Sequence, residues 1–164
     1  MYQYRVTKYD PEKRDRRGAY LEEDWTCQSQ IGQTFGGVTL TAAEYERIET
    51  AYVEVAFAFI RESDGKSLQV IPLEIHNDHQ EFDLHLCEGM VLAGQEIEQV
   101  CRLNLRGSLW CKLEDSGGRF IHFGYDYYMY IGVPIPCERA QALAHRLGLF
   151  VETFVSPYFE TNTD

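Results

Sequence analysis

Between Arg119 and Ile131 the chain alternates two sets of large side chains. Ile121, Phe123, Tyr125, Tyr127, Met129 and Ile131 fall on one parity, and Phe120, His122, Gly124, Asp126, Tyr128 and Tyr130 on the other. Successive side chains of a strand point to opposite faces, so a segment heavy on both parities needs cover on both sides. The spacing predicts one long, central strand. Leu109–Glu114 alternates as well, and Asp115-Ser116-Gly117-Gly118 between the two segments reads as a hairpin turn. A sheet is therefore the frame of the fold.

Helices supply the covering layer. Leu40-Thr41-Ala42-Ala43-Glu44-Tyr45 combines a capping box, in which Thr41 accepts from the residue 44 amide and Glu44 reaches back, with a Leu40/Tyr45 staple. Tyr45, Ile48, Tyr52, Val55 and Phe59 then recur at spacings of three and four, one apolar stripe running to about Arg61. Glu44, Glu46, Glu49 and Glu54 are placed on the other sides of this helix. A shorter helix follows Gly94, with Ile97, Val100 or Cys101, and Leu105 inward, and ends at Gly107. A third begins near Pro136, buries Ala140, Leu143, Ala144 and Leu147, and ends at Gly148.

Further strands are expected at Tyr2–Tyr9, at Ser67–Ile75, at Phe82–Leu86 and at Leu149–Val155, with Ser156-Pro157 releasing a polar tail. Pro72 removes a ladder donor, which calls for an edge or a bulge. Glu12–Arg17 reads as a charged loop, and Trp25–Phe35 as a short helix closed by Gly36-Gly37. The expectation is an α/β chain of α+β type: residues 1–164 form one domain, a mostly antiparallel sheet of about five strands with two long helices and one shorter helix.

The net charge of −11 is unevenly spread. Residues 1–39 hold six acids and six bases, residues 40–98 thirteen acids and three bases, and residues 99–164 seven acids and six bases. Nucleic acids and anionic membranes are bound through Lys and Arg, so this distribution argues against both and for a basic protein partner. No basic segment followed by an apolar one opens the chain, and no run of about 18 apolar residues occurs in it. Five cysteines, widely spaced and odd in number, suit a reducing cytoplasm better than a disulfide framework.

Two groups of residues could carry chemistry. His122 and Asp126 share a strand parity, but four strand residues span about 13 Å, so a third group such as Glu152 or Cys111 would have to complete a site. His76, His79, His85, Asp78 and Asp83 gather possible ligands, yet their order matches no zinc spacing. The chain has no nucleophile elbow, phosphate loop, zincin helix or dinucleotide fingerprint. Tyr128 and Tyr130 beside Asp126 suit a protein interface, where aromatic side chains dominate and a carboxylate can pair with a partner's Arg or Lys.

The segments Tyr4-Arg5-Val6-Thr7-Lys8-Tyr9-Asp10-Pro11, Asp24-Trp25-Thr26, Ile31-Gly32, Leu40-Thr41-Ala42-Ala43-Glu44-Tyr45, Phe123-Gly124-Tyr125-Asp126-Tyr127-Tyr128-Met129-Tyr130-Ile131-Gly132 and Ser156-Pro157-Tyr158 resemble a family of uncharacterised bacterial proteins. That resemblance spans most of the chain and implies no activity, cofactor or catalytic residue. In size and acidity the chain is also similar to the immunity proteins of bacterial toxin systems.

The function expected is that of a non-catalytic cytoplasmic binding protein without a cofactor, an inhibitor of a basic toxin. Its contact surface would comprise Glu44, Glu46, Glu49, Glu54, Asp78, Glu81, Asp83, Asp126, Tyr128 and Tyr130. The alternatives are a small enzyme or metal-binding protein centred on His122 and Asp126 or on His76 and His79, and a homo-oligomer joined through the tyrosine strand.

Overall fold

A computed structural model describes residues 1–76 and 83–159. In chain order the strands are β1 (Tyr2–Thr7), β2 (Thr34–Phe35), β3 (Val38–Thr39), β4 (Ser67–Ile75), β5 (Val91–Ala93), β6 (Leu109–Glu114), β7 (Phe120–Phe123), β8 (Met129–Val133) and β9 (Phe150–Thr153). Helices α1 (Ala42–Glu62), α2 (Gln95–Leu105) and α3 (Glu138–Arg146) are interspersed. Seven strands make one antiparallel sheet in the order β5-β4-β6-β7-β8-β1-β9, and β2 with β3 forms a separate small hairpin. The sheet thus has seven strands where the sequence suggested five. No helix among the described residues is long and apolar enough to cross a membrane.

The two extra strands each have a local cause. The run from Arg119 to Ile131 is not continuous but folds back at Tyr125–Tyr127 into β7 and β8, with Phe123 opposite Met129 and Gly124 N donating to Tyr128 O at 2.8 Å. At the far edge Val91–Ala93, which shows no alternation, pairs with the start of β4. The strand expected at Phe82–Leu86 is absent from its described part, residues 83–86, and Leu84 and Leu86 pack half-buried on the core. Pro72 does sit at a bulge, between Ile71 and Leu73. Trp25–Phe35 holds only a 3-10 turn at Gln28–Gln30 before β2.

Helix α1 starts as its cap dictates: the Thr41 hydroxyl accepts from Glu44 N at 3.1 Å, and Leu40 and Tyr45 are buried together. The Glu44 carboxylate turns to Arg47 instead of closing the capping box. Tyr45, Ile48, Tyr52, Val55 and Phe59 all enter the core, and α1 lies between α2 and α3 in a single helical layer. Between that layer and the sheet lie Val6, Leu68, Val70, Cys111, Leu113, Ile121, Met129 and Ile131, so one continuous apolar core joins sheet and helices.

The opposite face of the sheet is polar and is covered by the chain end. Glu152, Arg5, Tyr130 and His122 stand side by side on β9, β1, β8 and β7. Residues 154–159 cross this row as a strap in place of the free tail expected after Ser156: Ser156 N donates to the Gln3 side chain at 2.9 Å, and Lys112 Nζ to Tyr158 O at 3.2 Å. Phe154 packs on Tyr130, and Phe159 on Phe120.

Candidate functional site

The four glutamates of α1 separate into two environments. Glu44, Glu46 and Glu54 are exposed, and Glu44 is paired with Arg47. Glu49 is fully buried, which corrects its placement on the outer surface. Arg106 clasps it from α2's end and Arg102 bonds it from one turn earlier, at 2.9 Å. Burial alone would raise the Glu49 pKa, but the bonds from Arg106, Arg102 and Tyr45 outweigh it and hold the carboxyl below its usual range. This cluster locks α2 onto α1 and is unavailable to a partner.

Glu46 and Glu54 make no ion pair or hydrogen bond among the described residues, and both stand beside grooves on the helical layer. One groove, of about 710 Å³, runs between α1, α2 and α3 over an apolar floor of Val53, Phe57 and Leu143, bordered by Glu54, by Arg61 and by Glu98 in its ion pair with Arg102. The second, of about 350 Å³, lies between α1 and Leu147 and is bordered by Glu46, Arg47 and Glu54. Thr50 and Glu54 belong to both, so the two grooves meet at one ridge of α1. Glu98 and Phe57 were not singled out from sequence, since their place depends on how the helices pack.

The remaining candidates are scattered. Asp83 is exposed, and Asp78, Glu81 and His79 lie outside the described residues. His76 is exposed, 3.6 Å from Glu74, and among the described residues no three His, Cys, Asp or Glu side chains gather as metal ligands would. Tyr130 is buried under Phe154 and Tyr158 and is no surface anchor. Tyr128 is half-buried, its ring beside Arg5 and Arg14 and its hydroxyl accepting from Arg14 at 2.7 Å. Asp126 stands exposed in the turn after β7, not along a strand with His122.

His122 meets neither Glu152 nor Cys111. Its Nε2 is 2.9 Å from Glu114 Oε1 and its Nδ1 2.8 Å from Ser156 Oγ, which links acid, imidazole and hydroxyl in one chain. Burial pushes the His122 pKa down to about 4, with Glu114 opposing part of the shift. An imidazole held so low is a poor general base near neutral pH, and it is fully buried beneath the strap that carries Ser156, itself buried. The neutral ring donates from Nε2 to Glu114 and accepts the Ser156 proton at Nδ1, a tautomer that pins the strap.

The thiols divide similarly. Cys27 and Cys87 are exposed, while Cys101, Cys111 and Cys137 are buried and unpaired. Burial pushes Cys111 and Cys137 up to about 11, which leaves them protonated packing groups.

No protein-family model, no curated protein and no solved structure matches this chain, so the reading of its site stands on its own geometry.

Proposed function

We propose that this protein is a non-catalytic cytoplasmic binding protein that holds a basic protein against the outer face of α1, as an immunity protein holds its toxin. The observation carrying this reading is the position of Glu46 and Glu54: exposed, without an ion-pair partner among the described residues, and set on grooves with apolar flooring. Glu46 and Glu54, left unpaired, speed the approach of a basic partner, and the floor offers area for apolar anchors. The chain's acid excess supports the same polarity, because thirteen of its acids fall between residues 40 and 98. Its resemblance to bacterial proteins and its likeness in style to toxin-neutralising proteins suggest a toxin as that partner.

Capture from a lysate of the native host at low salt, followed by a salt gradient, tests this reading with the wild type and the Glu46→Lys/Glu54→Lys variant side by side. A basic protein retained by the wild type, released at moderate salt and lost by the variant supports it. Retention that is independent of salt, or equal in the variant, overturns it.

A further inference from the structure

A second recess lies away from the α1 grooves, where the Tyr125–Tyr127 turn meets the end of α2. It measures about 190 Å³ and is bordered by Thr26, Cys27, Leu105, Gly107, Asp126 and Tyr128. Small-molecule sites usually exceed about 300 Å³, so this recess has room for a side chain rather than for a cofactor or a helix.

Its chemistry favours a cation. The Asp126 carboxylate is exposed and makes no hydrogen bond or ion pair among the described residues. Asn104–Gly107 bring the C-terminal, negative end of the α2 dipole to the same recess. Tyr125, 87% exposed and the most exposed aromatic ring described, stands at the mouth with its face open to a planar cation. Arg106, which lines the recess, is engaged by Glu49, whereas Arg14 beside Tyr128 bonds only through Nη1, to the Tyr128 hydroxyl and the Gly18 carbonyl, with its Nε and Nη2 buried and unpartnered among the described residues.

The recess is also built rigidly. Asp126 and Tyr127 both hold left-handed backbone, at φ 59° and 67°, which a bulky residue such as Tyr rarely adopts. Two buried hydroxyls keep them there: Tyr9 Oη donates to Asp126 O at 2.7 Å, and Tyr52 Oη to Tyr127 O at 2.9 Å. The Tyr127 ring is wedged edge-on against Trp25, Tyr45 and Tyr52. Strain maintained in this way fixes the backbone from which the Asp126 side chain projects.

We propose that this recess receives the guanidinium of an arginine presented by the basic partner, with Asp126 pairing to it and Tyr125 lying over its plane. Arginine fits better than lysine because a flat, forked cation can meet a carboxylate and an aromatic face together. The proposal rests on the reading of a basic partner, but its test uses a small probe and no partner.

The experiment titrates the full chain, followed by amide NMR, with Nα-acetyl-L-arginine methylamide and, separately, with its neutral citrulline counterpart. The expected result is saturable movement of the Asn104–Gly107 and Tyr125–Tyr128 signals with the arginine probe, little movement with the citrulline one, and an affinity at least about fivefold weaker in Asp126→Asn. Asn tolerates left-handed backbone, so that variant keeps the turn. Absence of saturable movement, equal response to both probes, or an unchanged affinity in Asp126→Asn overturns the proposal. Partner capture that still depends on Glu46 and Glu54 would then leave the α1 reading standing, and loss of that dependence with an intact probe response would remove only the α1 reading.

Discussion

Arg106 grips Glu49 in a fork, its Nε 2.9 Å from Oε2 and its Nη2 2.7 Å from Oε1, so the end of α2 is tied to the middle of α1 by two parallel charge-assisted bonds. Replacing Glu49 by Gln keeps the shape and removes the charge that Arg106 and Arg102 share. Breaking a buried pair from one side costs about 3–5 kcal/mol, and the partly exposed arginines place this case near the lower end, at about 3 kcal/mol. Denaturant unfolding of Glu49→Gln at pH 7 measures it. A loss below about 1 kcal/mol would show that the pair does not hold the helices together.

The pH dependence of folding has a sign set by His122. Its folded pKa is about 4, below the ordinary 6.5, because burial disfavours the imidazolium. The unfolded chain therefore takes up a proton first as pH falls, and the stability that neutral His122 contributes is complete above about pH 6.5 and drains away towards pH 4. Within that window the slope is on the order of 1 kcal/mol per pH unit. Unfolding curves between pH 7 and 4.5 should show this fall in the wild type and lose most of it in His122→Gln, since the Glu49 carboxyl, whose pKa is depressed, is lost only at lower pH. Equal slopes in the two proteins would assign the acid sensitivity elsewhere.

Helix α1 was readable because cap, staple and stripe all agree, and each rests on neighbours within a turn or two. The burial of Glu49 carried a signal that polarity masked: it stands four residues after Tyr45 and three before Tyr52, on the stripe itself. Its answer, Arg102 and Arg106 four apart on another helix, shows only once the helices pack. The break in the Arg119–Ile131 run is hidden for a geometric reason. Phe123 opposes Met129 and Ile121 opposes Ile131, so partners share parity, and the alternation passes through a three-residue turn without a fault. Gly124 and Asp126 were the local turn signals. The recess beside Asp126 could not be read from sequence, because the end of α2 that borders it arrives from a separate part of the chain.

Asp126 gives a stability prediction of the opposite sign. A non-glycine residue in left-handed backbone costs about 1 kcal/mol relative to glycine, and the Asp126 side chain returns no hydrogen bond among the described residues. Asp126→Gly should therefore raise unfolding stability by about 0.5–1 kcal/mol while keeping the bond from Tyr9 to its carbonyl. Thermal melts of the two proteins test it. A destabilised variant would mean that the aspartate stabilises the turn, and the strain argument for a functional residue would fail.

The polar face of the sheet depends on a glycine. Gly132 on β8 stands opposite Phe120 on β7, and a Cβ added there would come within 2.0 Å of the Phe120 ring. That ring cannot swing aside, because it stacks on His122 at 4.1 Å and packs against Phe159 in the strap. Gly132→Ala should cost about 2–3 kcal/mol by overpacking. Phe120→Leu alone loses ring contacts with His122, but it opens the space that a methyl at position 132 needs. The two changes should therefore be non-additive, with the double variant more stable than the sum of the single losses by about 1 kcal/mol or more. A thermodynamic cycle from four denaturant titrations settles the point: additive losses would show that the ring does not lie over Gly132 and that the strap gains no support from it.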